Sequence, residues 1–308
     1  MPEPLVDAPV DGMMAAVAAV PEEVEASQSR KLGFLGWFSI IWLTAIILAA
    51  LLAPWLPLSD PDKSFGEIAE KPPIVAGHLL GGDGSGRDML ARVIFGARVS
   101  LLVGFASVAI GWIIGGFLGL VAGYFKGRFD AVLSTLFNVL LSIPALVFAL
   151  SLVAVFASSD ENVSSTRKMV VLIIALGIVT IPVLGRISRA STLAWSEREF
   201  VKAAEVMGAK PLRIIWREVL PNVLPAMMSI ALLGIGVVIV AEGALSLLGV
   251  GVQGVPSWGN MISDGRGDLR NSPYIVFIPS IALFFTVLSL NYLGDVIRAR
   301  FEVRESML

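Results

Sequence analysis

An all-α, polytopic membrane protein with six transmembrane helices is the fold class this sequence predicts, and three observations predict it. The chain of 308 residues is 56% hydrophobic and only 16% charged, with a mean hydropathy of +0.82, whereas soluble domains run near a quarter charged. Long apolar stretches recur along it; at about 1.5 Å rise per residue, a hydrocarbon core of about 30 Å takes roughly 20 of them in a helix. Between two such stretches, residues 199–222 break into EFVKAAEVMGAKPLRIIWREVLPN, a segment of mixed charge. A formal net charge of −2 gives no footprint for nucleic acid. The absence of cysteine excludes disulfides, thiolate metal sites and a cysteine nucleophile.

Residues 1–30 are small, acidic and proline-containing, with too little bulky apolar surface for a core, and are expected to form a mobile tail. They lack the basic and apolar regions of a cleavable signal. Six spans are expected at about 33–56, 99–124, 130–157, 169–190, 222–249 and 274–294. They divide the chain into a first transmembrane helix (31–58), an extracytoplasmic loop (59–98), a five-helix core (99–302) and a short C-terminal end (303–308). Pro182, Arg186 and Arg189 sit in the last turns of the fourth span, which should project beyond the bilayer there. Pro144 and Pro182 should loosen the helical ladder and permit kinks. In the second span Gly111, Gly115 and Gly119 have the small-xxx-small spacing that lets helices approach closely, either within the chain or against a partner.

Lysine and arginine set the orientation. With the N-terminus inside, 14 of the 23 fall on cytoplasmic segments and 9 outside, most of the bias coming from the 125–129 turn and the 190–221 loop. Both termini are therefore expected in the cytoplasm.

Glu197 to Glu218 carry nine charges, and at about 2.5–3.5 kcal/mol each for a helix centre the segment stays out of hydrocarbon. It is nevertheless patterned. Phe200, Ala203, Ala204 and Met207 make one helical stripe, and Leu212, Ile215, Trp216 and Val219 make a second. Gly208 lies where a helix stops, Pro211 suits the first turn of the next helix, and Pro221 marks the entry to the fifth span. Such a hairpin either lies on the membrane surface or docks in a partner's groove.

The string Lys202-Ala203-Ala204, then Gly208, then Leu220-Pro221, resembles the EAA loop of permease subunits of bacterial ABC importers. The resemblance implies a type I importer-like permease fold, with a coupling loop at about 195–221 seated in an ATPase subunit. Lys202 replaces the family's leading glutamate, so a salt bridge made by that glutamate does not carry over. HLLGGDGSGRDMLARVIFGARVSLLVG (78–104) is similar to a segment of the C-type permeases of dipeptide, oligopeptide and nickel importers. Gly81, Asp83, Gly86, Arg87 and Asp88 match, while Gly82 stands for the usual threonine. GLVAGYFKGRFD (119–130), GALSLLGVGVQGVPSWGNMISDGR (243–266) and LGDVIRARF (293–301) extend the resemblance over about 75–302.

The family implies a homologous second permease, two ATPase subunits or domains, and an extracytoplasmic solute-binding protein, in a bacterial cytoplasmic membrane. It also implies a non-catalytic chain without a cofactor, ATP and Mg being bound by the partner ATPases. The sequence agrees, since no G-x-x-x-x-G-K-[ST] phosphate loop occurs. Peptides are the expected solute, with nickel or another small solute as the alternative. The GGDGSGRD turn is either a structural cap on the outer mouth or a contact for the binding protein. His78, the only histidine, has no second His or Cys beside it and is read as an ordinary loop residue.

Within the spans, Glu242, Asn138, Asn291 and Asp130 are the notable polar residues. Glu242 either accepts hydrogen bonds from neighbouring helices or faces the pathway, and the asparagines suit interhelix bonding. An ion-coupled carrier or channel working alone is the rival class, but it would call for clearer internal repeats and midplane charges.

Overall fold

The structure, a computed structural model, describes residues 33–74, 77–157, 164–252 and 254–305, with side chains to residue 300. The expected tail at 1–30 lies outside the described residues, as do residues 306–308 of the C-terminal end. The described residues are helical apart from turns, loops and two isolated bridges, Ser64 to Arg87 and Gly82 to Asp88.

Helix α1, Phe34–Leu52, runs into a 3₁₀ turn at Ala53–Trp55 that carries Pro54. Helix α2, Met89–Phe125, begins well before the expected 99. Asp88 caps it, its carboxylate accepting from the Ala91 N–H at 3.0 Å. Arg92 and Arg98 pushed the expected start inward, yet Arg92 is only 3% exposed and is balanced by carboxylates. A positive φ at Lys126 and Gly127 turns the chain into the next helix.

The third expected span bends at Pro144, where a kink was expected. Helix α3, Gly127–Ser142, and helix α4, Ala145–Ala157, form a pair bent by 88°. Ile143 is extended (φ −84°, ψ 128°), as a residue before proline prefers, and Pro144 has no N–H to continue the ladder. Helix α5, Ser165–Ser196, keeps going past Pro182.

Helix α6, Glu199–Val206, is followed by a turn and then by helix α7, Pro211–Leu247. Pro221, expected to open a separate span, lies inside this continuous rod. A π-turn at Ile215–Val219 precedes it and locally widens the ladder, which lets the helix absorb the missing N–H. The second arm of the hairpin and the fifth span are therefore one element. A short helix not expected from the sequence, α8 (Trp258–Gly265), precedes α9, Tyr274–Glu305. Among the described residues five helices are long and apolar enough to cross a membrane, and the bent pair makes a sixth span if its arms count as one.

In lipid, apolar burial between helices gains little, so close packing has to hold the bundle. Helix α2 supplies it along α5. A Cβ on Gly115 would stand 2.3 Å from the Ile181 carbonyl oxygen, and one on Gly119 2.2 Å from that of Gly185. The glycine stripe thus serves packing inside the chain, with backbone against backbone. The main buried cluster gathers Leu101, Leu172, Leu176, Ile239, Leu245 and Trp258. A second cluster, at the end carrying the hairpin, joins Leu120, Trp195, Val201, Ala204, Ile214 and Val219.

Candidate functional site

Polar or exposed residues gather at both ends of this bundle and around one buried carboxyl. At the hairpin end, α6 and the start of α7 present two different faces. Val201 and Ala204 from α6, with Ile214, Ile215 and Val219 from α7, are buried against Trp195 and Leu120. Of the stripe read on α6, Phe200, Ala203 and Met207 are exposed and Ala204 turns inward beside Val201. On α7, Leu212 and Trp216 are likewise exposed. Val201, one residue along from Phe200, takes the inner position.

The result is a hairpin locked to the bundle by one apolar face while a second faces outward. At its tip Val206 and Met207 are 89% and 81% exposed. Gly208 has φ +80°, with nothing within 4 Å of a Cβ built there. Its amide donates to the Glu205 carbonyl at 2.9 Å, closing α6. Lys202 is exposed, Leu220 half-buried and Pro221 exposed. Lys126 donates to Glu197 at 2.9 Å, tying the α2–α3 turn to the base of the hairpin. That hydrogen bond and charge hold the Glu197 carboxyl below its ordinary value.

Nearby, two arginines of α5 bridge to α3. Arg189 pairs with Asp130 through two hydrogen bonds, and Arg186 donates to the Asn138 side chain at 2.6 Å. Asn138 is thus an interhelix contact, as its type suggested. Asn291 lies near α7: its oxygen would be 3.2 Å from a Cβ on Gly236.

At the opposite end, GGDGSGRD folds as a tightly seated turn. A Cβ on Gly82 would be 2.2 Å from the Ile68 carbonyl oxygen, and Gly81 and Gly86 have φ of +73° and +76°. Only glycine meets both demands. Asp83 accepts the amides of Ser85 and Arg87 at 2.9 Å and the Arg87 guanidinium at 2.7 Å. Arg92 comes within 3.4 Å of Asp83 and 3.8 Å of Asp62 and Asp264. Its stem is buried on α2, so these carboxylates are what permits a guanidinium there. His78 is more than a loop residue, since its Nδ1 bonds Asp88, the cap of α2. A cavity of about 220 Å³ lies between this turn and α8, lined by Asp83, Arg87, Arg92, Met261, Asp264 and Asp268.

Between the loop and the membrane core sits Glu242, 0% exposed. Its Oε1 accepts from Ser257 at 2.7 Å and Ser246 at 3.1 Å, and its Oε2 accepts from Ser100 at 3.4 Å. Ser257 caps α8 by accepting the Asn260 amide at 3.1 Å, and Ser100 accepts the Trp258 amide at the same distance. Glu242 stands out in the sequence as an acid inside a span, whereas Ser100 and Ser257 do not. The signal for the latter was the Ser257-Trp258-Gly259-Asn260 string, a serine cap opening a short helix.

Residues 115–306 match the family described as binding-protein-dependent transport system inner membrane component. The dipeptide transport system permease protein DppC of Alkalihalophilus pseudofirmus is 35% identical over 298 residues, 96% of this chain and 93% of that protein. The oligopeptide transport system permease protein OppC of Haemophilus influenzae is 34% identical, covering 84% of this chain and 81% of its own. The glutathione transport system permease protein GsiD of Pectobacterium atrosepticum is 33% identical, with coverages of 84% and 83%. In fold, a chain of the inward-facing MetNI methionine ABC transporter aligns with a TM-score of 0.56 at 19% identity, over 68% of this chain and 97% of that one. Similarity of this extent, on a bundle of membrane-spanning helices, places the chain: it belongs to the family of inner membrane components of binding-protein-dependent transport systems, the multi-pass permeases of ABC importers.

Proposed function

We propose that this permease forms half of the translocation pathway of an ATP-driven importer of short peptides. A homologous permease supplies the other half. Two ATPase subunits, which bind ATP and Mg, grip the α6–α7 hairpin, and an extracytoplasmic binding protein delivers solute to the end bearing GGDGSGRD. The hairpin end and both termini face the cytoplasm in this reading, in line with the lysine and arginine bias.

One observation carries the coupling assignment: the hairpin keeps Val206, Met207, Leu212 and Trp216 exposed at a charged, membrane-excluded tip while its other face is fixed to the bundle. Exposed apolar groups rimmed by charge mark protein contacts. The peptide assignment is carried over from the names of the dipeptide and oligopeptide relatives. Glutathione is itself a small peptide, so the third relative points to the same class of solute.

The mechanism is mechanical. Closure of the ATPase pair moves the hairpin, and α7, being continuous with it, carries that displacement across the membrane. The test is uptake of a labelled dipeptide into proteoliposomes holding the complete complex. Uptake should require both ATP and the binding protein; robust uptake by the permease alone would sink the reading in favour of an ion-coupled carrier.

Gly208→Val probes the turn. A β-branched residue at φ +80° costs on the order of 1–3 kcal/mol, and with no neighbour within 4 Å the effect is confined to the backbone. Import should fall at least about fivefold and ATPase co-purification weaken, with Gly208→Asn milder because asparagine tolerates the left-handed region. Unchanged import and association in the valine variant would remove the coupling role from this turn.

A further inference from the structure

We propose that Glu242 is a positioning residue that joins α8 to α7, so that contact at the GGDGSGRD end is transmitted to the hairpin; the inference rests on the function proposed above. The oxygens of its buried carboxyl collect three hydroxyls from three places: Ser246 of α7 itself, Ser257 at the start of α8, and Ser100 of α2. The two carboxyl oxygens between them receive these three converging hydroxyls. A glutamine of the same shape would keep one acceptor oxygen and replace the other with an N–H₂ donor, weakening the link while a rotatable serine hydroxyl can still accept.

The two ends of α8 are held differently. Its first turn hangs on the Glu242 group, with the Trp258 amide on Ser100 and the Trp258 indole N–H on the Val93 carbonyl at 3.0 Å. Gly259 presses against α7 so closely that a Cβ there would be 2.6 Å from the Gly243 Cα and 3.0 Å from Glu242 Oε2. Toward its other end, Asp264 lies 3.7 Å from Arg87 and 3.8 Å from Arg92, both of which pair with Asp83 in the glycine-rich turn. The cavity of about 220 Å³ opens between these two walls. A partner pressing on the turn or the cavity therefore loads α8 directly.

Helix α8 meets α7 at its first turn through the Glu242 group, and again where Ser263 donates to the Ser246 carbonyl at 3.1 Å. From Leu212 to Glu242, α7 advances roughly 45 Å at 1.5 Å per residue, without interruption by Pro221 or Pro225. The buried cluster is thus the junction between a surface-facing helix and a rod whose far end is the exposed hairpin.

The experiment uses the complete transporter in nanodiscs with its binding protein. Yield of assembled complex, basal ATPase rate, half-saturating binding-protein concentration and maximal stimulated ATPase rate are measured for Glu242→Gln, Ser257→Ala and the double variant. Transmission through the junction predicts yield, basal rate and half-saturation within about twofold of the parent, with stimulation reduced at least fivefold. The double variant should be no worse than the more impaired single variant, because both cut one link. Unchanged stimulation in the single variants would overturn the proposal, as would a proportional fall of yield, basal and stimulated rates in Ser257→Ala. If the parent complex itself shows no stimulation by the binding protein, the proposed function fails first and this inference with it.

Discussion

Placing carboxylates on the exposed tip, as Met207→Asp with Leu212→Asp, abolishes import while leaving the permease folded. Both side chains are largely solvent-exposed, and neither belongs to the cluster of Val201, Ala204, Ile214, Ile215 and Val219 that fixes the hairpin. Exposed substitutions of this kind change fold stability by about 0.5 kcal/mol or less. A docked apolar anchor, by contrast, is worth about 2 kcal/mol or more in an interface, and a buried unpaired carboxylate adds a desolvation cost. Two such changes weaken ATPase binding by on the order of a hundredfold or more. The check is co-purification of the ATPase together with the elution profile of the permease. Retained import with a normal profile would mean that the tip touches only solvent or lipid headgroups.

Gly119→Leu acts at the other extreme, by preventing the bundle from closing. Its first added carbon would lie 2.2 Å from the Gly185 carbonyl oxygen and 2.8 Å from the Ser188 Cβ. The obstacle is backbone rather than the end of a flexible side chain, so no rotamer change relieves it. Overpacking a core costs about 1–3 kcal/mol when side chains can yield, and more when they cannot. Separating α2 from α5 also endangers the hydrogen bond from Ser188 to the Gly116 carbonyl, 2.7 Å long. Expression of assembled complex should fall at least tenfold, measured by fluorescence-detected size exclusion. Gly127→Leu, at a position with open space around it but φ +73°, should cost far less.

Composition and hydropathy made the fold class legible, because about twenty apolar residues in a row have few alternatives in water or lipid. Hydropathy misplaced the start of α2 because it scores Arg92 by its charge and is blind to Asp62, Asp83 and Asp264, which come from distant segments. It joined α3 to α4 because Pro144 interrupts the backbone ladder without changing how apolar the run is. Conversely, proline suggested a boundary at Pro221 where a π-turn had already made room. The hairpin was legible as two helices with a glycine between them. Which residues would face the bundle was not, because Phe200 and Val201 are equally plausible inward residues until the bundle beneath them is known. Glu242 stood out as a lone acid in a span, but its meaning came from Ser100 and Ser257, 142 and 15 residues away in the chain.

Backbone contact fuses α2 to α5, and α7 runs unbroken from the hairpin, so most of this frame has little slack. The corner at Pro144 is the exception: two short arms meet there with no ladder across the joint. Among the described residues, a stroke delivered from below meets stiff beams along α2, α5 and α7 and finds compliance at that elbow.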